Sequence, residues 1–307
     1  MKSGWLQHRQ HCLSFSNHQD RPLHEILAPF YPQMSPFLLI IGLLVFWQGC
    51  RTFNNRYIQK LGAISFLAAS FCVGYFLGGG SIIWGCVTMS IWFVLPWIEI
   101  ATRVRKLRLP LTHKMIPRHA PSRQLFPHLP ELTQSLNDEG FEQIDDVGWE
   151  WEGNRQFVRL FYNEGEKTQA AIHFNEQGSS DDMRYLAFIY LSVSSKTKNG
   201  NSIITWDYPF SYPMQFAPEQ RVQRMDSGMP FKDMYLRHQK ALAASSEQLS
   251  EQPAEELVDR LEMESKLQID HNLAKGFICD AGEGTFRYSW RGCFFIWIQL
   301  LKDMIRV

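Results

Sequence analysis

From Leu61 to Ile98 the chain runs for 38 positions without a charged side chain, and Gly78, Gly79 and Gly80 lie near the middle of that run. A single helix of this length would measure about 57 Å at 1.5 Å per residue, nearly twice the roughly 30 Å hydrocarbon core of a bilayer. The pattern therefore predicts two membrane passes joined at the glycines, one from Leu61 to Leu77 and one from Ser81 to Ile100 with Pro96 near its far end. An earlier apolar stretch, Met34 to Cys50, is at the short end of the spanning range. It reads as a first span, with a re-entrant or interfacial segment as the alternative.

The pattern changes behind this anchor. Five prolines between Leu109 and Pro130 predict an extended linker. A short helix is expected from Glu131 to Glu139, stopped by Gly140. Period-two alternation follows. Gln156–Asn163 places Val158, Leu160 and Tyr162 on one face, and Thr168–Asn175 turns Ala170, Ile172 and Phe174 inward and Gln169, His173 and Asn175 outward. The two runs form a hairpin through Glu164-Gly165. Tyr185–Ser195, apolar on both faces, reads as a central strand, and Asn199-Gly200 turns it into Ser202–Tyr208.

Two helices are expected next. Phe231–Ala244 carries Phe231, Met234, Tyr235, His238 and Leu242 along one face, and Ala254–Lys275 is long and charged. The ending, Arg287–Val307, reads as a helix with a polar stripe of Gln299, Lys302, Asp303 and Arg306 opposite a broad apolar face. Its apolar run is too short to span, so that face must meet the sheet or the membrane interface, and the interface is the expectation. The predicted fold class is a helical membrane anchor of three spans, two of them a hairpin, plus a cytoplasmic α+β domain built on an antiparallel meander. The boundaries are an irregular tail at 1–33, the anchor at 34–102, a basic Pro-rich linker at 103–130 and the domain at 131–307.

Charge supplies the orientation. Arg51, Arg56 and Lys60 follow the first span and Arg103, Arg105, Lys106 and Arg108 follow the third, whereas the 78–81 turn has no basic residue. Positive residues favour the cytoplasmic side, so the glycine turn faces outward and the domain faces the cytoplasm. Trp47 and Trp97 then lie at headgroup level, as Trp290 and Trp297 would in an interfacial C-terminal helix. Residues 1–33 lack the regions of a cleavable signal, and a start at Met34 would leave a short, uncharged outer terminus. Over the whole chain 31 basic side chains balance 31 acidic ones, which gives nucleic acid no electrostatic footing. The six cysteines form no C-x-x-C pair.

Candidate chemistry is sparse. His238, on its helix, could pair with Asp207 or Asp233 as an acid and base, but it shares the helix's apolar face, where a core histidine with local partners is the commoner use. His173 with Asp181 and Asp182 offers a metal reading and a solvated-loop reading, and His8, His11 and Cys12 lack a second ligand pair. Gly282-Glu-Gly284 lacks the third glycine and lysine of a phosphate loop and reads as a turn. No cofactor or metal is implied. Seven acids and one base between Glu247 and Glu264 read as a solvated helix face, or as a docking surface for a basic or membrane-protein partner. Trp149, Trp151, Trp206, Tyr208, Phe210 and Tyr212 either line a pocket or fill core and rim. The expectation is a membrane-tethered binding, scaffolding or sensor domain. The alternative is a tethered hydrolase-like enzyme using His238 with a carboxylate, and uncharged spans disfavour a channel or transporter.

Overall fold

The computed structural model describes residues 31–53, 55–177, 186–251 and 253–306, so most of the expected tail, with His8, His11 and Cys12, and the Asp181-Asp182 loop lie outside the described residues. The chain divides into two units, one reaching to Ile91 and one covering Trp92–Arg306.

The first unit contains α1 (Tyr31–Arg51), α2 (Arg56–Leu77) and the first half of α3 (Ile82–Thr102). Two helices, Tyr57–Leu77 and Ile82–Lys106, are long and apolar enough to cross a bilayer, and Pro36–Arg51 is a shorter apolar helix. Gly79 and Gly80 take φ of +65° and +86° in the turn between α2 and α3, a conformation that side chains with a Cβ resist. Large apolar side chains such as Ile41, Val45, Ile64, Leu77, Ile83 and Trp84 are exposed on these helices, a continuous display that water-soluble surfaces rarely carry. Several hydroxyls on these helices bond to backbone carbonyls of the same unit. Ser65 donates to the Leu43 carbonyl at 2.8 Å and Thr88 to that of Ser70 at 3.0 Å. At Gly74 a Cβ would overlap Thr88 and the Trp84 carbonyl, so the glycine permits close approach of α2 and α3.

The second unit is α+β. Its main sheet has the order β2-β3-β4-β5-β6-β7-β8, where β2 is Ile116–Pro117, β3 Glu142–Trp151, β4 Asn154–Asn163, β5 Thr168–Gln177, β6 Leu186–Lys196, β7 Ser202–Trp206 and β8 Gln220–Arg224. A smaller antiparallel sheet joins β1 (Leu109–Pro110) to the hairpin of β9 (Ile278–Gly282) and β10 (Thr285–Tyr288). The helices are α4 (Leu129–Asp138), α5 (Phe231–Ser245), α6 (Leu257–Ala274) and α7 (Trp290–Arg306).

The meander holds from β2 to β7, but β8 pairs with β7 in parallel. β3 and β8 were not expected as strands. Glu142, Gln143, Asp145 and Asp146 interrupt the alternation of β3, whose register shifts between Gln143 and Asp145, and β8 is a polar edge strand, Gln-Arg-Val-Gln-Arg. The expected linker is extended, as its prolines require, yet it belongs to the folded unit. Pro110 and Pro117 close two-residue strands at sheet edges, where a missing N–H costs no ladder bond, and Phe126 is 1% exposed and stacked on Phe174.

The sheet has two covered faces. Phe157, Phe161, Ala170, Ile172, Phe174, Leu191 and Val193 pack against α4, α5 and Phe126. On the other face Val147, Val158, Leu160, Tyr162 and Ala171 pack against Leu257 and its neighbours on α6. A third cluster joins Ile100, Ile269, Ile278, Phe286, Tyr288, Cys293 and Ile296.

The Asn199-Gly200 turn joins β6 and β7 as expected. Gly200 sits at φ +85° in open space, and its N–H donates to the Thr197 carbonyl. Gly200→Val should therefore destabilise through backbone strain alone, by about 1–3 kcal/mol. A melting temperature equal to that of the parent protein would contradict this.

Candidate functional site

Cross-strand register brings together side chains from the α6 face of the main sheet. His173 on β5 is opposite Tyr190 on β6, Ala171 is opposite Ser192, and Ser192 and Ser194 are opposite Trp206 and Ile204 on β7. Toward β4 the face is filled by Val158 and Leu160 against α6, but toward β7 the residues are Gln169, His173, Ser192 and Ser194. Polar groups of this kind do not close into a dry core, and a cavity of about 370 Å³ remains between them, α6 and the segment after β7.

That segment carries Tyr208, Tyr212, Met214 and Phe216 over the cavity. Asn272 of α6 fixes it. Fully buried, its Nδ2 donates to the Gln215 carbonyl at 2.8 Å and its Oδ1 accepts from the Gln215 N–H at 2.9 Å. Ring packing stiffens the same wall, with Tyr212 stacked on Phe216 at 4.7 Å and Trp206 4.9 Å from Tyr212. Tyr208 meets Tyr190 edge to face at 5.0 Å.

His173, expected to face solvent, is 6% exposed. Alternation correctly separated it from Ala170 and Ile172, but the face it shares is roofed by α6 and the 208–216 segment. Its ring lies parallel to Tyr190, with centroids 4.2 Å apart. Nδ1 is 3.5 Å from the Gln156 amide nitrogen, a donor, so Nδ1 accepts and Nε2–H donates to the Ser192 hydroxyl at 2.9 Å. Burial lowers its pKa from 6.5 to about 3. His113 also lines the cavity, 3.1 Å from the Ser265 hydroxyl, and burial lowers it to about 4. Burial raises the phenols of Tyr190, Tyr208 and Tyr212. Near neutral pH the wall therefore presents neutral imidazoles and intact phenols. Among the described residues no group of three or more His, Cys, Asp or Glu could hold a metal ion.

The acid–base candidates are not brought together. His238 is fully buried on the opposite face, where Nε2 pairs with Ser195 Oγ and Nδ1 with Thr205 Oγ1, each at 3.0 Å. Asp207 accepts instead from the N–H groups of Leu191 and Gly228, at 2.6 Å and 3.3 Å, and Asp233 is exposed in the first turn of α5. Asp207 borders a second concavity of about 620 Å³, between α4 and the start of α5.

Four of the expected interface residues of the second unit, Trp97, Arg105, Trp290 and Trp297, lie together. Trp97 lies 6.2 Å from Trp290 and 5.9 Å from Trp297, and Trp297 Nε1 donates to the Phe93 carbonyl. The Arg105 guanidinium sits 4.0 Å over Trp290. Arg103 pairs with Glu99, Arg108 donates to the Ala281 carbonyl, and Lys106 ends the short turn Val104–Lys106. In the first unit Trp47 meets Phe66 at 4.8 Å and Arg51 at 5.4 Å.

In the acidic segment Glu247 pairs with Arg221, Glu251 with Lys167, and Glu264 with Arg260, while Glu262 accepts from the Met115 N–H. Glu255, Glu256 and Asp259 are exposed.

Of the six aromatics grouped in the sequence, Trp149, Trp206, Tyr208 and Tyr212 line the cavity. Trp151 instead donates to the Arg108 carbonyl, and Phe210 packs on Phe188. Sequence reasoning missed Gln156, Ser192, Glu264, Gln268 and Asn272, because isolated polar residues on strands and a charged helix carry no spacing signal. No protein family, curated protein or solved structure matches the chain.

Proposed function

We propose that the chain is a membrane-tethered ligand-binding domain of sensor type. The single observation that carries this reading is the half-open cavity of about 370 Å³, walled by aromatics and by polar groups that are largely buried. In this reading α1, α2 and α3 are three spans, the turn at Gly78–Ser81 is external, and the chain from Arg103 onward is cytoplasmic. The basic residues after α1 and after α3 support that orientation. The cluster of Trp97, Arg105, Trp290 and Trp297 supports contact with lipid headgroups, where indoles and guanidinium groups are both favoured. A basic protein partner would find Glu251, Glu255, Glu256 and Asp259 exposed in the acidic segment, with Glu251 already paired to Lys167.

Native mass spectrometry of the full chain, released from detergent, tests the ligand. A small-molecule adduct should accompany the protein and vanish in Ser192→Phe, which projects a ring into the cavity. Persistence of the adduct in that variant, or its absence from both, would defeat the reading. Orientation has its own assay. With the native cysteines replaced, Ser81→Cys should react with an impermeant maleimide in intact cells and Ser250→Cys should not, and the reverse pattern would overturn the topology.

A further inference from the structure

We propose that the cavity selects an uncharged, flat, ring-bearing small molecule that presents a hydrogen-bond acceptor to Gln268. This rests on the ligand-binding reading and adds the chemical class.

The charge pattern excludes the alternatives. Among the described residues lining the cavity there is no lysine or arginine. Its one carboxylate, Glu264, already accepts from Ser202 Oγ at 2.9 Å and from Arg260 Nε at 3.2 Å. An anion entering here would lose its water and gain no cation, beside a carboxylate. A cation would meet a carboxylate whose charge is already compensated and two imidazoles that burial keeps neutral. An uncharged ring loses little hydration and meets the indole of Trp206 and the phenols of Tyr208 and Tyr212.

The donors are specific. Gln268 is 7% exposed, and its Oε1 accepts from the Tyr212 hydroxyl at 2.9 Å. Its Nε2 is buried on the cavity wall without a hydrogen-bond partner among the described residues. Native interiors rarely leave a buried donor unpaired, so this N–H is available to an acceptor held in the cavity. Ser192 contributes a second donor, because it accepts from His173 and its own proton remains to be given.

The test uses the full chain in detergent, with Ser192→Phe as the reference for partition into micelles. Saturation-transfer NMR and tryptophan fluorescence follow indole and adenine as uncharged probes, benzoate and AMP as anions, and benzamidine as a cation. Indole and adenine should bind the parent protein above the reference, with each charged probe at least tenfold weaker. Gln268→Leu should weaken adenine by roughly tenfold in a protein that still melts cooperatively, and Ser192→Ala supplies the same test if Gln268→Leu does not fold. Preferential binding of benzoate, AMP or benzamidine, abolished by Ser192→Phe, would overturn the class and leave the cavity reading standing. No binding above the reference by any probe would overturn both.

Discussion

Lowering the pH from 7.5 to 5 should destabilise the second unit, with about 4 kcal/mol of the loss arising from two histidines on opposite faces of one sheet. His173 and His238 are both buried. Burial lowers His173 to about 3, and burial, with the nearby Arg260 charge as a smaller cause, lowers His238 to about 4. Unfolded, each has the ordinary value near 6.5 and takes up a proton below it, whereas the folded forms stay neutral. Their stabilising contribution is therefore complete above pH 6.5. It is lost at about 1.4 kcal/mol per pH unit per imidazole as pH falls toward the folded-state values. At pH 5 that is about 2 kcal/mol each, or a drop in melting temperature of roughly 8–16 °C. Circular dichroism melts of the detergent-solubilised chain across this range provide the measurement. His173→Gln and His238→Gln should each remove about 1.4 kcal/mol per pH unit from the slope, and His113, lowered by burial to about 4, supplies a further share. A melting temperature constant between pH 7.5 and 5 would show that neither imidazole is held neutral.

The same two histidines show what a sequence can disclose. His238 shares its helix face with Phe231, Met234 and Tyr235, and that periodicity alone placed it in the core, where it pairs with Ser195 and Thr205. For His173 the alternation of β5 was equally legible, and it sorted Ala170, Ile172 and Phe174 to one face and His173 to the other. A strand does not encode what covers its second face, however. That depended on α6 and on the 208–216 segment, contacts made across 57 residues by Asn272 and Gln215. Turns behaved similarly: Asn199-Gly200 and the glycines at 78–80 act locally and were readable. β8 was not, because Gln220–Arg224 takes its strand identity from pairing with β7 and lacks any pattern of its own. The candidate cavity was visible only as a surplus of aromatics near strand ends. Its polar half, Gln156, Ser192 and Gln268, exists only in three dimensions.

The C-terminal helix should tolerate a polar residue on one side and fail with one on the other. Its composition predicted a broad apolar face turned to the membrane interface, yet α7 is packed along Gly292, Cys293 and Ile296, against Ile278, Phe286 and Tyr288. Gly292 allows this approach, since a Cβ there would overlap the Phe277 carbonyl. Asp303, expected on a free polar stripe, is bonded to Arg224 and Ser211. Trp290 and Phe294 are left 54% and 50% exposed. Cys293→Asp buries a carboxylate with no partner and should cost about 3–5 kcal/mol, enough to unfold a marginally stable domain. Phe294→Ser removes a half-exposed ring and should cost under about 1 kcal/mol. Melting temperatures of the two variants, taken in the same detergent, separate the faces. Equal losses would mean that Phe294 is packed as tightly as Cys293, leaving no outer aromatic face for headgroups. A tolerated Cys293→Asp would remove the inner face from the core and return the whole helix to the interface.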